Sequence, residues 1–120
     1  MARILIVDDD EMMLDFLAKA LSKSGHDVTT RNNGKDALDL LQTDSSFDLI
    51  LSDIIMPGID GIELSNEAAK LLPKLKIMFI TGFSAVALGN KNPAKTGKPV
   101  ISKPFHLNDL VKRVDQMLAD

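Results

Sequence analysis

Short apolar runs alternate along this chain with segments whose apolar residues recur every three or four positions. Ile4, Leu5, Ile6 and Val7 form an unbroken apolar run, the pattern of a strand covered on both faces. Residues 11–24 then follow helical spacing, with Gly25 as the stop signal. Met13, Phe16, Leu17, Ala20 and Leu21 are the stripe expected to face the core. Met12 and Leu14 fall outside it as peripheral apolar surface. A short strand is predicted over 27–30, a turn at Asn33-Gly34 and a helix over 35–42. Residues 47–52 are again nearly all apolar and predict a third strand. Met56-Pro57-Gly58 opens a loop, and a helix over 62–72 ends near Pro73. Strands are predicted over 77–80 and 100–102. The closing helix starts near Leu107, with Leu107, Leu110, Val111, Val114, Met117 and Leu118 on one stripe. One stretch breaks the rhythm. Residues 84–88 hold barely one helical turn, and residues 89–99 contain two Gly, two Pro, two Asn and three Lys, the composition of an extended loop.

Five strands alternating with helices predict an α/β fold, a parallel sheet with helices on both faces. Right-handed crossovers leave few topologies. The flavodoxin-like order 2-1-3-4-5 suits this size and places a crevice at the carboxyl ends of strands 1 and 3. The 120 residues fit one domain, 1–120, and neither a repeat nor an interdomain linker is evident. An apolar content of 45% favours neither disorder nor a membrane protein. A net charge of −3 argues against nucleic-acid binding by bulk electrostatics. Without cysteine there is neither a disulfide framework nor a thiolate metal site. The first apolar run is far too short for a signal peptide or a membrane span, so a cytoplasmic location is expected.

The chemistry gathers at the predicted strand ends. Asp8, Asp9 and Asp10 follow strand 1, and Asp53 follows strand 3. If these strands are neighbours, the carboxylates converge, and crowded like charges need a cation or a proton to neutralise them. Hard oxygen donors favour Mg²⁺. Asp10 is equally placed to cap the first helix. Thr81 ends strand 4 before Gly82, so a hydroxyl and an unshielded backbone N–H can both face a phosphoryl oxygen. Lys103 follows strand 5 and precedes Pro104. Its ammonium can neutralise phosphate charge from across the crevice, and a cis Lys-Pro bond would aim it inward. Taken singly, Thr81 reads as a strand-end hydroxyl and Lys103 as a solvated charge. Together they put three carboxylates, a hydroxyl and an amine on one rim. His26 and His106 have no second ligand nearby in sequence, and His106 is placed to help cap the last helix. Phe83, after strand 4, is either core or a contact residue.

The order VDDD, SDIIMPGIDG, ITG and SKPF resembles response-regulator receiver domains over the whole chain. The resemblance implies that Asp53 is the phosphoacceptor. It implies Mg²⁺ bound by Asp8 and Asp9, with Asp9, Asp53 and the backbone carbonyl of Ile55 as direct ligands. Thr81 is then the switch hydroxyl, Lys103 the partner of the phosphoryl group, and Pro57 and Gly61 belong to the loop after the acceptor. The implied partners are a histidine kinase and/or a histidine phosphotransferase. The stretches KIMFITGFSAVAL and ISKPFHLNDLV are similar to a subgroup of single-domain regulators. In that subgroup the unphosphorylated form helps the ClpXP protease, through ClpX, to engage substrates, and phosphorylation turns this off.

Two departures change the picture. Many receivers carry Tyr or Phe three residues before the lysine, where this chain has Val100. The residues two beyond Asp53 and Thr81 are the apolar Ile55 and Phe83, where polar residues often assist an attacking water. The expected function is a phosphorylation-switched regulator without an output domain, acting through protein partners. The alternative is a phosphorelay intermediate passing phosphate between histidine proteins. An aspartate-nucleophile phosphohydrolase wants a second acid where Ile55 stands, and nucleotide hydrolysis wants a Gly-rich Lys-Ser/Thr loop. A non-enzymatic role is therefore expected, with self-phosphorylation as its sole chemistry.

Overall fold

The computed structural model describes residues 2–82, 98–103 and 105–119. Within them the elements run β1 (Arg3–Val7), α1 (Glu11–Lys23), β2 (Asp27–Arg31), α2 (Gly34–Thr43), β3 (Leu49–Asp53), α3 (Gly61–Leu71), β4 (Lys76–Thr81), β5 (Val100–Ser102) and α4 (Leu107–Ala119). The five strands pair in parallel in the order β2-β1-β3-β4-β5, the order expected from the alternation of elements. The short turn predicted over 84–88, Phe83, most of the loop over 89–99, and Pro104 lie outside the described residues.

Alternate side chains of each strand serve two separate cores, as a period of two requires. Ile4, Ile6, Leu49, Leu51, Met78, Ile80 and Ile101 pack under α1 and α4, against Leu14, Leu17, Leu21, Leu110 and Val114. Leu5, Val7, Ile50, Ile77 and Phe79 pack under α2 and α3, against Ala37, Leu41, Leu64 and Ala68. β1 and β3 are buried almost throughout, which is why they read as continuous apolar runs.

Three sequence expectations are corrected. The core stripe of α1 is Leu14, Leu17 and Leu21, spaced three and four residues apart. Leu14 is thus a core residue, whereas Phe16 is 49% exposed and Ala20 is only half-buried. Phe16 sits four residues after the exposed Met12, on a second apolar ridge that faces away from the sheet. Asn33-Gly34 is a helix start and not a free-standing turn. The Asn33 side chain accepts from the Asp36 N–H at 2.8 Å, and Gly34 opens α2 without a positive φ. Phe47 precedes β3 instead of lying in it. It is buried at the amino end of the sheet, with the Arg3 guanidinium 4.5 Å from its ring centre.

Candidate functional site

Parallel pairing sets the carboxyl ends of four strands on one level. Val7 pairs with Ser52, Asp53 with Ile80, and Thr81 with Ser102. Asp8, Asp53, Thr81 and Lys103 therefore each stand at, or one residue beyond, the last paired position of their strand. The backbone continues this order past the sheet. The Asp8 N–H donates to the Arg31 carbonyl at 3.3 Å, the Ile54 N–H to the Ile80 carbonyl at 3.2 Å, and the Lys103 N–H to the Thr81 carbonyl at 2.7 Å.

Asp8, Asp9 and Asp53 converge, each with a carboxylate oxygen within 4.8 Å of the others'. Asp8 is 1% and Asp53 9% exposed, while Asp9 faces solvent. The Lys103 ammonium lies 3.5 Å from a carboxylate oxygen of Asp8 and 3.5 Å from one of Asp53. Those separations are ion pairs at the outer edge of hydrogen bonding. Burial pushes the Asp8 carboxyl above the usual aspartate range, and the nearby Asp53 adds to the rise. The Asp10 N–H and Lys103 oppose it. Burial likewise pushes Asp53 up, aided by Asp9 and opposed by Lys103 and the Ile54 N–H. Two half-desolvated acids with one shared counter-charge have room for further positive charge. Three hard oxygen donors in one cluster suit a small divalent cation that keeps some of its water.

Asp10 does not belong to this cluster. Its side chain caps α1, accepting from the Met12 and Met13 N–H groups at 3.0 and 3.3 Å. Its own N–H holds Asp8 Oδ1 at 2.9 Å, so the cap and the buried acid orient each other. Thr81 is buried at the rim. Among the described residues, the nearest atom that a Cβ on Gly82 would meet is Lys103 Cδ at 3.9 Å. Ile55, two residues after Asp53, is 40% exposed. The histidines lie elsewhere. His26 accepts from the Ala2 N–H through Nδ1 at 3.3 Å and meets Asp115 through Nε2 at 2.8 Å, which ties β1 to α4. The His106 carbonyl accepts from Asp109 and Leu110 at the start of α4.

Sequence reading named Gly61 in the loop after Asp53 but missed the bonds that hold this stretch of backbone. The buried Ser52 hydroxyl donates to the Asp53 carbonyl at 2.8 Å. The Ile54 N–H donates to Asp53 Oδ1 at 2.7 Å, and the Gly61 N–H to the Ile54 carbonyl at 2.8 Å. Asp60, also missed, is buried and caps α3 by accepting from the Glu63 N–H at 2.9 Å. Its signal was in the chain, an Asp three residues before Glu63 at a helix start.

A family model described as the response regulator receiver domain matches residues 4–115. The response regulator receiver protein CpdR of Brucella abortus (strain 2308) is 52% identical over 118 residues, which span 98% of both chains. Among solved structures, the receiver domain of the hybrid histidine kinase CckA superposes with a TM-score of 0.81 at 33% identity, covering 97% of this chain and 98% of that one. A receiver domain protein from Clostridium thermocellum gives a TM-score of 0.88 at 23% identity, covering 99% and 95%, a likeness of fold.

Proposed function

The chain belongs to the response regulator receiver domain family, and on that premise we propose that it is a stand-alone phosphorylation switch whose acceptor is Asp53. The observation that carries this reading is the convergence of Asp8, Asp9 and Asp53 under a lysine 3.5 Å from two of them. The donor is a phosphohistidine on a histidine kinase or histidine phosphotransferase. A lone pair of Asp53 Oδ forms the new P–O bond. The P–N bond breaks, and its electron pair stays on the histidine nitrogen. No water is consumed, and the protein is the substrate of the transfer and not a turnover catalyst.

Asp8, Asp9, Asp53 and the Ile55 carbonyl are the groups that would hold Mg²⁺, which when bound supplies positive charge to the phosphoryl oxygens. Lys103 neutralises one of those oxygens. The Thr81 hydroxyl donates to another, and that new bond is what moves the rim. Burial of Asp8 and Asp53 keeps the reacting carboxylate out of bulk water, which would weaken such charge–charge contacts. The protein output follows the CpdR relative, which matches over nearly its whole length. In that reading the unphosphorylated form engages ClpX and helps ClpXP take up substrates, and phosphorylation releases it.

Incubation with acetyl phosphate and Mg²⁺ should give one acylphosphate per chain, and none with EDTA. Asp53→Ala should abolish it, and label persisting in that variant would move the acceptor elsewhere. Wild type should retain ClpX in a pull-down and lose it with beryllofluoride present. Equal capture in both states would overturn the protease reading and leave the acceptor intact.

A further inference from the structure

The loop between β3 and α3 carries Ile55 and Asp60, and its position is fixed by contacts outside the acidic rim. Two glycines press on it. A Cβ on Gly61 would lie 2.1 Å from the Asp53 carbonyl oxygen and 2.9 Å from Ile54 Cα. A Cβ on Gly34, the first residue of α2, would lie 2.8 Å from the Ile59 carbonyl oxygen, 3.1 Å from Ile59 Cβ and 3.3 Å from its Cγ2. Neither glycine has a positive φ; that conformation occurs at Gly25 and Gly58. Gly34 and Gly61 are therefore required for space and not for backbone freedom. The distance from Gly34 to Ile59 is set by two backbones, so no side-chain rotation relieves a clash there.

From this we propose that Gly34 is a positioning residue for the phosphorylation site. It seats the loop on α2 through Ile59, and so sets where the Ile55 carbonyl points. The proposal rests on the reading of the site as a Mg²⁺-dependent acceptor, and it deepens that reading by adding α2 to the structure behind it. The mechanism is steric. At its near end the loop is tied by the Gly61 N–H bond to the Ile54 carbonyl at 2.8 Å. At its far end Ile59 rests on Gly34, and α2 is anchored in turn by Ala37 and Leu41 in the core. A methyl group at position 34 must push Ile59 outward or α2 off the sheet. The rigid core under α2 resists the second path, so the loop yields, and with it the carbonyl donor.

The test is Mg²⁺ affinity, read from ¹⁵N amide shifts of the full chain, alongside thermal melting without Mg²⁺. Gly34→Ala should weaken Mg²⁺ binding on the order of tenfold, as changes behind a metal's direct ligands do. Leu41→Ala, about two turns further along the same helix, should lower the melting temperature but leave Mg²⁺ affinity near wild type. Ile59→Gly removes the Cβ and Cγ2 that rest on Gly34 without forcing α2, and should weaken binding severalfold even if Gly34→Ala does not fold. Wild-type affinity in folded Gly34→Ala or in Ile59→Gly, or equal weakening in Leu41→Ala, overturns the proposal. Absence of Mg²⁺ binding in wild type would instead overturn the underlying reading of the site.

Discussion

Asp8 and Asp53 are held where burial raises their carboxyl groups above the ordinary aspartate range. The folded domain thus binds their protons more tightly than the unfolded chain does. Without Mg²⁺ this costs no stability below the ordinary value of 3.8. The cost grows as pH rises from there through the raised folded value, and is complete above it. Asp44 works in the opposite direction, lowered first by its hydrogen bonds from Ser46, so the comparison belongs between variants. Asp8→Asn keeps an oxygen for the Asp10 N–H and removes the charge. Urea unfolding without Mg²⁺ should find it more stable than wild type near neutrality, with the gain shrinking to nothing as pH falls below the ordinary aspartate value. A gain constant with pH would show that the charge is not responsible. Ile55 invites a second substitution. Its exposed apolar side chain lies two residues after Asp53, the proposed acceptor, and cannot orient a water for attack on a phosphoaspartate. Ile55→Asn should speed decay of the phosphorylated protein severalfold, measured as loss of label in EDTA-quenched samples. Unchanged decay would assign the lifetime to other groups.

At the scale of elements, α1 shows what a period of 3.6 residues fixes and what it leaves open. With apolar residues at 12, 13, 14, 16, 17, 18, 20 and 21, the pattern was rich enough for two overlapping stripes. Size favoured Phe16, yet the sheet took Leu14, Leu17 and Leu21. Leu14→Ala should cost about 2–5 kcal/mol, as a cavity in a packed core does. Phe16→Ala should stay within roughly 0.5 kcal/mol, and the reverse order in chemical unfolding would restore the first stripe. The strands were legible because β1, β3 and β4 are buried on both faces, which leaves uninterrupted apolar runs. The acidic rim was legible because a strand end is marked by the change from Val7 to Asp8 and from Ser52 to Asp53. Asp10 was legible only as a choice, since one acidic residue suits a cap and a cluster equally. Its bonds to Met12 and Met13 decide for the cap. Gly34 was read as a turn because Asn-Gly most often marks one. Its closeness to Ile59 is a tertiary fact with no local signal.

Across the whole molecule, two ends of the sheet are fastened differently. The amino end is closed by His26 between Ala2 and Asp115, by Lys76 donating to the Met117 carbonyl, and by Arg3 pairing with Asp27 and Asp44. The carboxyl end holds buried acids and a shared cation. Phosphorylation should therefore change amide exchange around the rim and leave the amino end as it was. Lys103→Ala should reduce the phosphorylation-induced amide shifts more than it weakens Mg²⁺ binding, and full wild-type shifts would remove Lys103 from the switch. Val100 bears on the same question. It packs in the α2–α3 core, and a β-branched side chain holds few rotamers, so it cannot swing between two seats as an aromatic ring does. Lys103 can redistribute, because it leaves β5, passes over β4 and β3, and stands equally far from Asp53 and from Asp8 at the end of β1. A single ammonium between two anions is a changeover contact: if Asp53 gains charge by the proposed phosphorylation and draws the cation, Asp8 should lose it. Asp8 is also the acceptor that holds the Asp10 N–H at the head of α1, so the chemistry of one strand is felt, by subtraction, at the start of a helix two strands away from the lysine's own neighbour.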